Sequence, residues 1–245
     1  MWAKGRFRGE QMLYHSERIY GIDISKYQHV HKRRVYGIDW RNLRITRLGH
    51  TADRNALGAV DYPVSFVYIK STEGLTVFNP YYTQDVRAAR RYGFPVGAYH
   101  FFSTRPAMSQ ADYFLKKSRL RKGDLPPMLD VELSDRRIAA MGGRDVLFRE
   151  MLVWLKEVGR RSGTTPIIYV SQDFVNRYMP FAPEELKAYP VWVARYGEYK
   201  PYVHLLYWQL SPDGRVRGIQ GDVDIDVFNG SEEQFKRYLR TQTVK

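Results

Sequence analysis

The chain has 245 residues, 44% hydrophobic and 15% aromatic, enough for one large core, and no apolar run approaches the roughly 20 residues a membrane-spanning helix needs. It holds no cysteine, which excludes disulfides, thiolate nucleophiles and cysteine metal sites. Lys and Arg total 39 against 26 Asp and Glu, and the net +13 favours a polyanionic partner or surface: nucleic acid, anionic lipid or an anionic wall polymer.

The first residues, "MWAKGRFRGEQ", carry charge but no apolar centre, so they do not make a complete signal peptide. Residues 1–18 read as a basic segment, the remnant of a leader or an anchor. The first strand expectation is "RIYGIDIS" (18–25), a β-branched run with an acid near its end. Segment 31–63 breaks the pattern, with seven Lys/Arg against three Asp. It reads as a solvated surface insertion, an elaborated first loop with a partial helix. Then follow "VSFVYIKSTEG" (64–74), "FPVGAYHFF" (94–102), "LPPMLDVE" (125–132), "TPIIYVS" (165–171), "YPVWVARY" (189–196), "HLLYWQLS" (204–211) and "GDVDIDVF" (221–228). Eight such runs predict eight strands.

Helical patterns lie between several of them, at 79–93, 107–120, 143–163 and 182–188. Pro80 near the start of the first and Gly93 at its end are helix punctuation. Strand–helix alternation predicts a parallel sheet with right-handed crossovers, and eight strands in this length predict an α/β fold, a closed (β/α) barrel of TIM-barrel type. Connections near the C-terminus are too short for full helices. The barrel is therefore expected to be irregular there, with antiparallel pairing, and 233–245 to form a helix or tail beyond the barrel of 19–232.

Chemistry in a barrel gathers at the C-terminal ends of the strands. The polar residues closing the runs are Asp23, Lys70 with Glu73, Tyr99 with His100, Asp130 with Glu132, Tyr169 with Ser171, Arg195 with Tyr196, Gln209, and Asp224 with Asp226. The ring has no defensible Ser-His-Asp order, no glycine-rich phosphate loop and no HxH or HxxxH pair, so neither metal nor cofactor is expected. Asp130 and Glu132 are two apart, which on a strand places both on one face. Like charges that close raise at least one pKa. Glycoside hydrolysis needs such a set: one carboxyl donates to the leaving oxygen, a second group stabilises or attacks the oxocarbenium-like centre, and aromatic faces stack on sugars. Each acid alone reads as a strand-end cap or buried ion pair. Asp23, Asp130, Glu132 and Asp224 together, closing the first, fourth and last strands, do not.

In order along the chain, "YGIDISKYQ", "FVYIKSTEG", "GAYHFF", "LDVE", "IIYVSQDF", "VWVARYG", "YWQLS" and "GDVDIDVFNG" resemble the family 25 glycoside hydrolases, lysozymes of the N-acetylmuramidase type, over about residues 19 to 230. The resemblance implies a modified barrel with a groove at the strand ends. It also implies hydrolysis of the β-1,4 bond from N-acetylmuramic acid to N-acetylglucosamine in peptidoglycan. By position in the D-x-E motif Glu132 resembles the general acid and Asp130 its partner near the 2-acetamido group; Asp23 and Asp224 look like the other groove carboxylates. Asp226 stands where the family demands no acid and is set aside. Tyr99 and Trp192 resemble sugar-contacting aromatics, with barrel core the competing reading for Trp192. Lys70, Glu73, Tyr169, Arg195 and Gln209 complete the expected substrate-binding ring.

Glu132 is expected to be held protonated by partial burial and by its neighbour, Asp130 to stay ionised, and the reaction to retain configuration with help from the substrate's acetamido group. Expected partners are peptidoglycan strands and anionic wall polymers, with no nucleic acid, for a monomer that is secreted, periplasmic or wall-associated, with or without an N-terminal anchor. The rival readings are another N-acetylhexosaminidase or chitinase, a catalytically silent glycan-binding barrel, and, last, a nucleic-acid binder.

Overall fold

The structure is a computed structural model that describes the backbone of residues 2–3, 6–7, 16–31, 33–50, 56–194 and 203–245. Most of the basic segment 1–18 therefore lies outside the described residues.

Eight strands close a barrel: β1 (Tyr20–Ile24), β2 (Val67–Glu73), β3 (Val96–Phe101), β4 (Met128–Val131), β5 (Ile167–Ser171), β6 (Val191–Ala194), β7 (Leu205–Arg217) and β8 (Val223–Phe228). Each begins within one of the eight runs read from the sequence, and β7 alone continues past the end of its run, which closes at residue 211. Neighbours from β1 to β7 pair in parallel, as in Ile22 with Val67 and Asp130 with Tyr169. β8 runs antiparallel to both β7 and β1 and completes the ring. That is the expected irregularity: the short β7–β8 link leaves no room for a helical crossover, and a hairpin return is the alternative.

Alternation along the strands sorts side chains into two cores. Outward residues such as Ile22, Ile69, Leu129, Val170 and Ile225 are fully buried beneath the helices. Helix α3 (Arg144–Ser162) turns Leu147, Met151, Trp154, Leu155 and Val158 onto this layer, at helical spacing, and stops at Gly163 in the left-handed region, φ 68°. α1 (Tyr82–Arg91) and α2 (Ala107–Ser118) match the 79–93 and 107–120 expectations; the predicted helix at 182–188 is the single turn Glu184–Lys187. The short helices Asp135–Ala140 and Gln172–Arg177 carry too little periodicity to read in advance.

Inward residues below the strand ends form an aromatic plug of Phe66, Tyr68, Trp192, Tyr207 and Phe228. Trp192 meets Tyr68 edge-on at 5.0 Å and tilts against Tyr207 at 4.8 Å. Gly21 and Gly97 make room for it, since a Cβ at either would stand 2.3 Å from the ring of Phe66 or Tyr68.

The 31–63 segment differs from expectation. Its only helical piece among the described residues is the 3-10 turn Trp40–Asn42, and the rest is largely sheet: Arg44–His50 pairs antiparallel with Ala56–Pro63 and with the far end of β7. Ile45 and Leu48 are buried against Val216, so the hairpin is packed sheet rather than a loose loop. β7 is accordingly 13 residues long, its second half standing clear of the barrel at the C-terminal end of its parallel neighbours.

Candidate active site

Asp23 ends the inward row of β1 and Asp130 that of β4, Tyr99 stands one inward step before Phe101 at the end of β3, and Asp224 enters from the start of the reversed β8 and pairs directly with Asp23. Because β8 runs the other way, its first residues share the level where the parallel strands finish. That reversal places four carboxylates on one ring. Glu132 follows the last residue of β4 and reaches solvent at the mouth, whereas Asp23 and Asp130 are buried at 8% and 7% exposure.

Burial is the first cause of every shift among these acids. It pushes Asp23 up to about 7, helped by the charge of Glu132 and opposed by a hydrogen bond with the Tyr99 side chain. It pushes Asp224 up to about 9, with Asp23 and Glu132 adding to it. Asp130 is held well above the usual carboxylate range by burial, then by Glu132 and Asp23. Glu132 is raised by loss of surrounding water, and the ammonium of Lys70 opposes this. The cluster thus shares protons at neutral pH instead of carrying four full charges.

The order within the D-x-E pair differs from expectation. Asp130, not Glu132, suffers the deeper burial, because it points down into the barrel. Glu132 lies past the strand end, where water and Lys70 support its charge. One oxygen of Asp130, Oδ1, is buried without a hydrogen-bond partner among the described residues.

The predicted ring is placed in part. Lys70 donates to Glu73 Oε2 at 2.7 Å and its Nζ lies 4.4 Å from the centre of the Phe101 ring. Tyr169 donates to Gln209 Oε1 at 3.0 Å, and both are buried beside the acids, whose charges hold the Tyr169 hydroxyl above its usual range after burial itself. Trp192 corrects its expectation: at 0% exposure, enclosed by four aromatic rings, it is barrel core and cannot stack on a sugar. Arg195 lies outside the described residues.

Asp226, set aside in the sequence, is drawn into the same cluster. It is fully buried one inward step below Asp224, and burial with the charges of Asp23 and Asp224 raises it well above the usual carboxylate range, opposed by hydrogen bonds with the Trp192 side chain and the Asp23 backbone. The period-two spacing of "DID" (224–226) carried the signal, since it puts both acids on one face. His100, by contrast, leaves the ring: it is buried among Thr72, Gln110 and Trp154, and burial drives it down to about 4, so it is neutral.

The family profile described as Glycosyl hydrolases family 25 matches residues 22–219. The "Uncharacterized protein YegX" of Escherichia coli (strain K12) is 33% identical over 228 residues, covering 91% of this chain and 74% of that protein. Lysozyme M1 of Streptomyces globisporus is 29% identical over 229 residues, 87% of this chain and 68% of that protein. The bacterial lysozyme structure from Streptomyces coelicolor superposes with a TM-score of 0.71 at 27% identity, covering 90% of this chain and 96% of that one. A barrel closed by one reversed strand, acids ringed at its mouth and a profile match across most of its length agree: the chain belongs to glycosyl hydrolase family 25 and is a glycoside hydrolase.

Proposed function

We propose that the protein hydrolyses peptidoglycan as a muramidase, cutting the β-1,4 bond between N-acetylmuramic acid and N-acetylglucosamine. The observation that carries this reading is the pairing of an open carboxyl, Glu132, with a buried one, Asp130, whose Oδ1 has no hydrogen-bond partner among the described residues. Glu132 stands where a glycosidic oxygen can meet it. A glycan lying across the mouth strips water from it and raises its affinity for the proton it must donate. Asp130 Oδ1 is an acceptor awaiting a donor, and the N–H of a 2-acetamido group supplies one. Holding that amide turns its carbonyl oxygen toward the anomeric carbon, so the substrate itself forms the intermediate. Both protein groups approach from one side, which disfavours direct attack by Asp130 and favours net retention. Asp23 and Asp224 bound the opposite wall, with Tyr99 fixing Asp23; Lys70, Glu73, Tyr169 and Gln209 line the ring around them.

Residues 19–232 act as the catalytic unit, and the glycan strand is its partner. The substrate places the enzyme at the cell wall. No helix among the described residues is long and apolar enough to cross a membrane. The test is digestion of purified peptidoglycan, with mass spectrometry of the new reducing ends. Muramic acid ends are expected; glucosamine ends would make it a different hexosaminidase.

A further inference from the structure

The insertion at 31–63 builds a charged wall beside the catalytic mouth. Past Gly214, whose partner on β8 is Val223, β7 leaves the barrel and pairs with Arg44–His50, setting Arg215 against Arg47 and Arg217 against Arg44. Directly opposed residues share a face, and like charges so placed destabilise a sheet. Val216 and Ile45, on the other face, are buried in the outer core that also holds Ile225. The arginine face therefore continues, by alternation, the face that carries Asp224.

Four guanidiniums meet two carboxylates here. Arg44 Nε donates to Asp61 Oδ1 at 2.6 Å, Arg217 lies 3.9 Å from the same carboxylate, and Arg215 lies 3.0 Å from Asp222. Arg47 is exposed and has no ion-pair partner among the described residues. Repulsion between opposed arginines is thus only partly relieved within the fold.

We propose that Arg47, Arg215 and Arg217 form a subsite for the carboxylates of the peptide branches on the glycan strand. This rests on the muramidase reading. The planar fork of arginine matches a carboxylate in two-point contact. Three residues of β7 beyond Gly214 rise about 10 Å above the level of Val223, and an extended peptide of four residues spans about 13 Å, so a branch leaving a sugar in the mouth reaches the ladder. Those carboxylates are joined to the substrate already held there, so the wall needs no second polymer.

The test is binding of fluorescent glycan strands, with peptide stems intact or removed by an amidase, followed by anisotropy at low salt. Turnover is stopped by Glu132→Gln in every protein compared. Against that background the triple change Arg47→Gln, Arg215→Gln and Arg217→Gln is expected to weaken binding of stem-bearing strands about tenfold while changing stripped strands less than about twofold. Arg47→Gln alone, which breaks no ion pair among the described residues, is expected to weaken the stem-bearing strand in the same direction, and circular dichroism checks that both variants keep their structure. Equal loss on both strands, or no loss on either, would overturn the proposal. So would a loss confined to walls that carry a phosphodiester polymer, which would assign the ladder to that polymer. A wild-type protein that releases no reducing ends from either strand would overturn the hydrolase reading instead, and the binding comparison would still read the arginines.

Discussion

Replacing Asp23 with asparagine should make the protein more stable at alkaline pH, at the expense of its chemistry. Asp23 keeps its proton in the fold up to about pH 7, against 3.8 in the open chain, chiefly because it is buried. A raised folded value means that this group's contribution is full below pH 3.8 and is lost as pH rises through about 7. Linkage at 1.36 kcal/mol per unit makes the cost to the fold about 2 kcal/mol at pH 5 and about 4 kcal/mol at pH 8.5. Asparagine keeps the shape and has no charge to bury, so the variant escapes a difference of about 2–3 kcal/mol between the two pH values. For a domain of this size each kcal/mol moves the unfolding midpoint by about 2–4 °C, so the gap between variant and wild type should widen by about 5–10 °C from pH 5 to pH 8.5. Thermal unfolding followed by circular dichroism at the two pH values reads this directly. A gap that stays constant would refute the reasoning, because it would mean that the Asp23 carboxyl ionises in the fold as readily as in the open chain.

Glu132→Gln should abolish turnover while leaving folding and glycan binding nearly intact, since the exposed amide keeps the shape and loses the proton; activity within about tenfold of wild type would remove Glu132 from the acid role. Proton NMR of the first product should find the β-anomer released from the β-linked substrate, whereas initial α-anomer would point to water activated by Asp23 or Asp224. Trp192→Ala should cost about 3–5 kcal/mol of stability, read by denaturant unfolding, because it empties a packed aromatic core; a change in KM with stability intact would return Trp192 to the sugar site. Raising salt should slow lysis of whole sacculi more than cleavage of short neutral fragments, because screening acts on the long-range attraction of a +13 chain; equal sensitivity would count against it.

The strands were legible because a strand's periodicity is local. Eight runs with β-branched and aromatic residues, most closed by a polar one, mark eight strands and the level at which Asp23, Asp130 and Glu132 sit, and the short link after "HLLYWQLS" was enough to expect a reversed pair. Three things needed the tertiary structure. Trp192 could be floor or wall of the groove until the barrel closed, since a residue's depth depends on the shear and tilt of strands far away in sequence. The proton balance between Asp130 and Glu132 depends on water and on Lys70, brought in from β2, and a pKa is set by such neighbours rather than by spacing along the chain. The 31–63 segment carries its arginines at no helical or strand period strong enough to read. Its hairpin exists because β7, more than 150 residues later, offers an unpaired edge beyond the barrel, and backbone groups on that edge need partners that only the fold can bring to them.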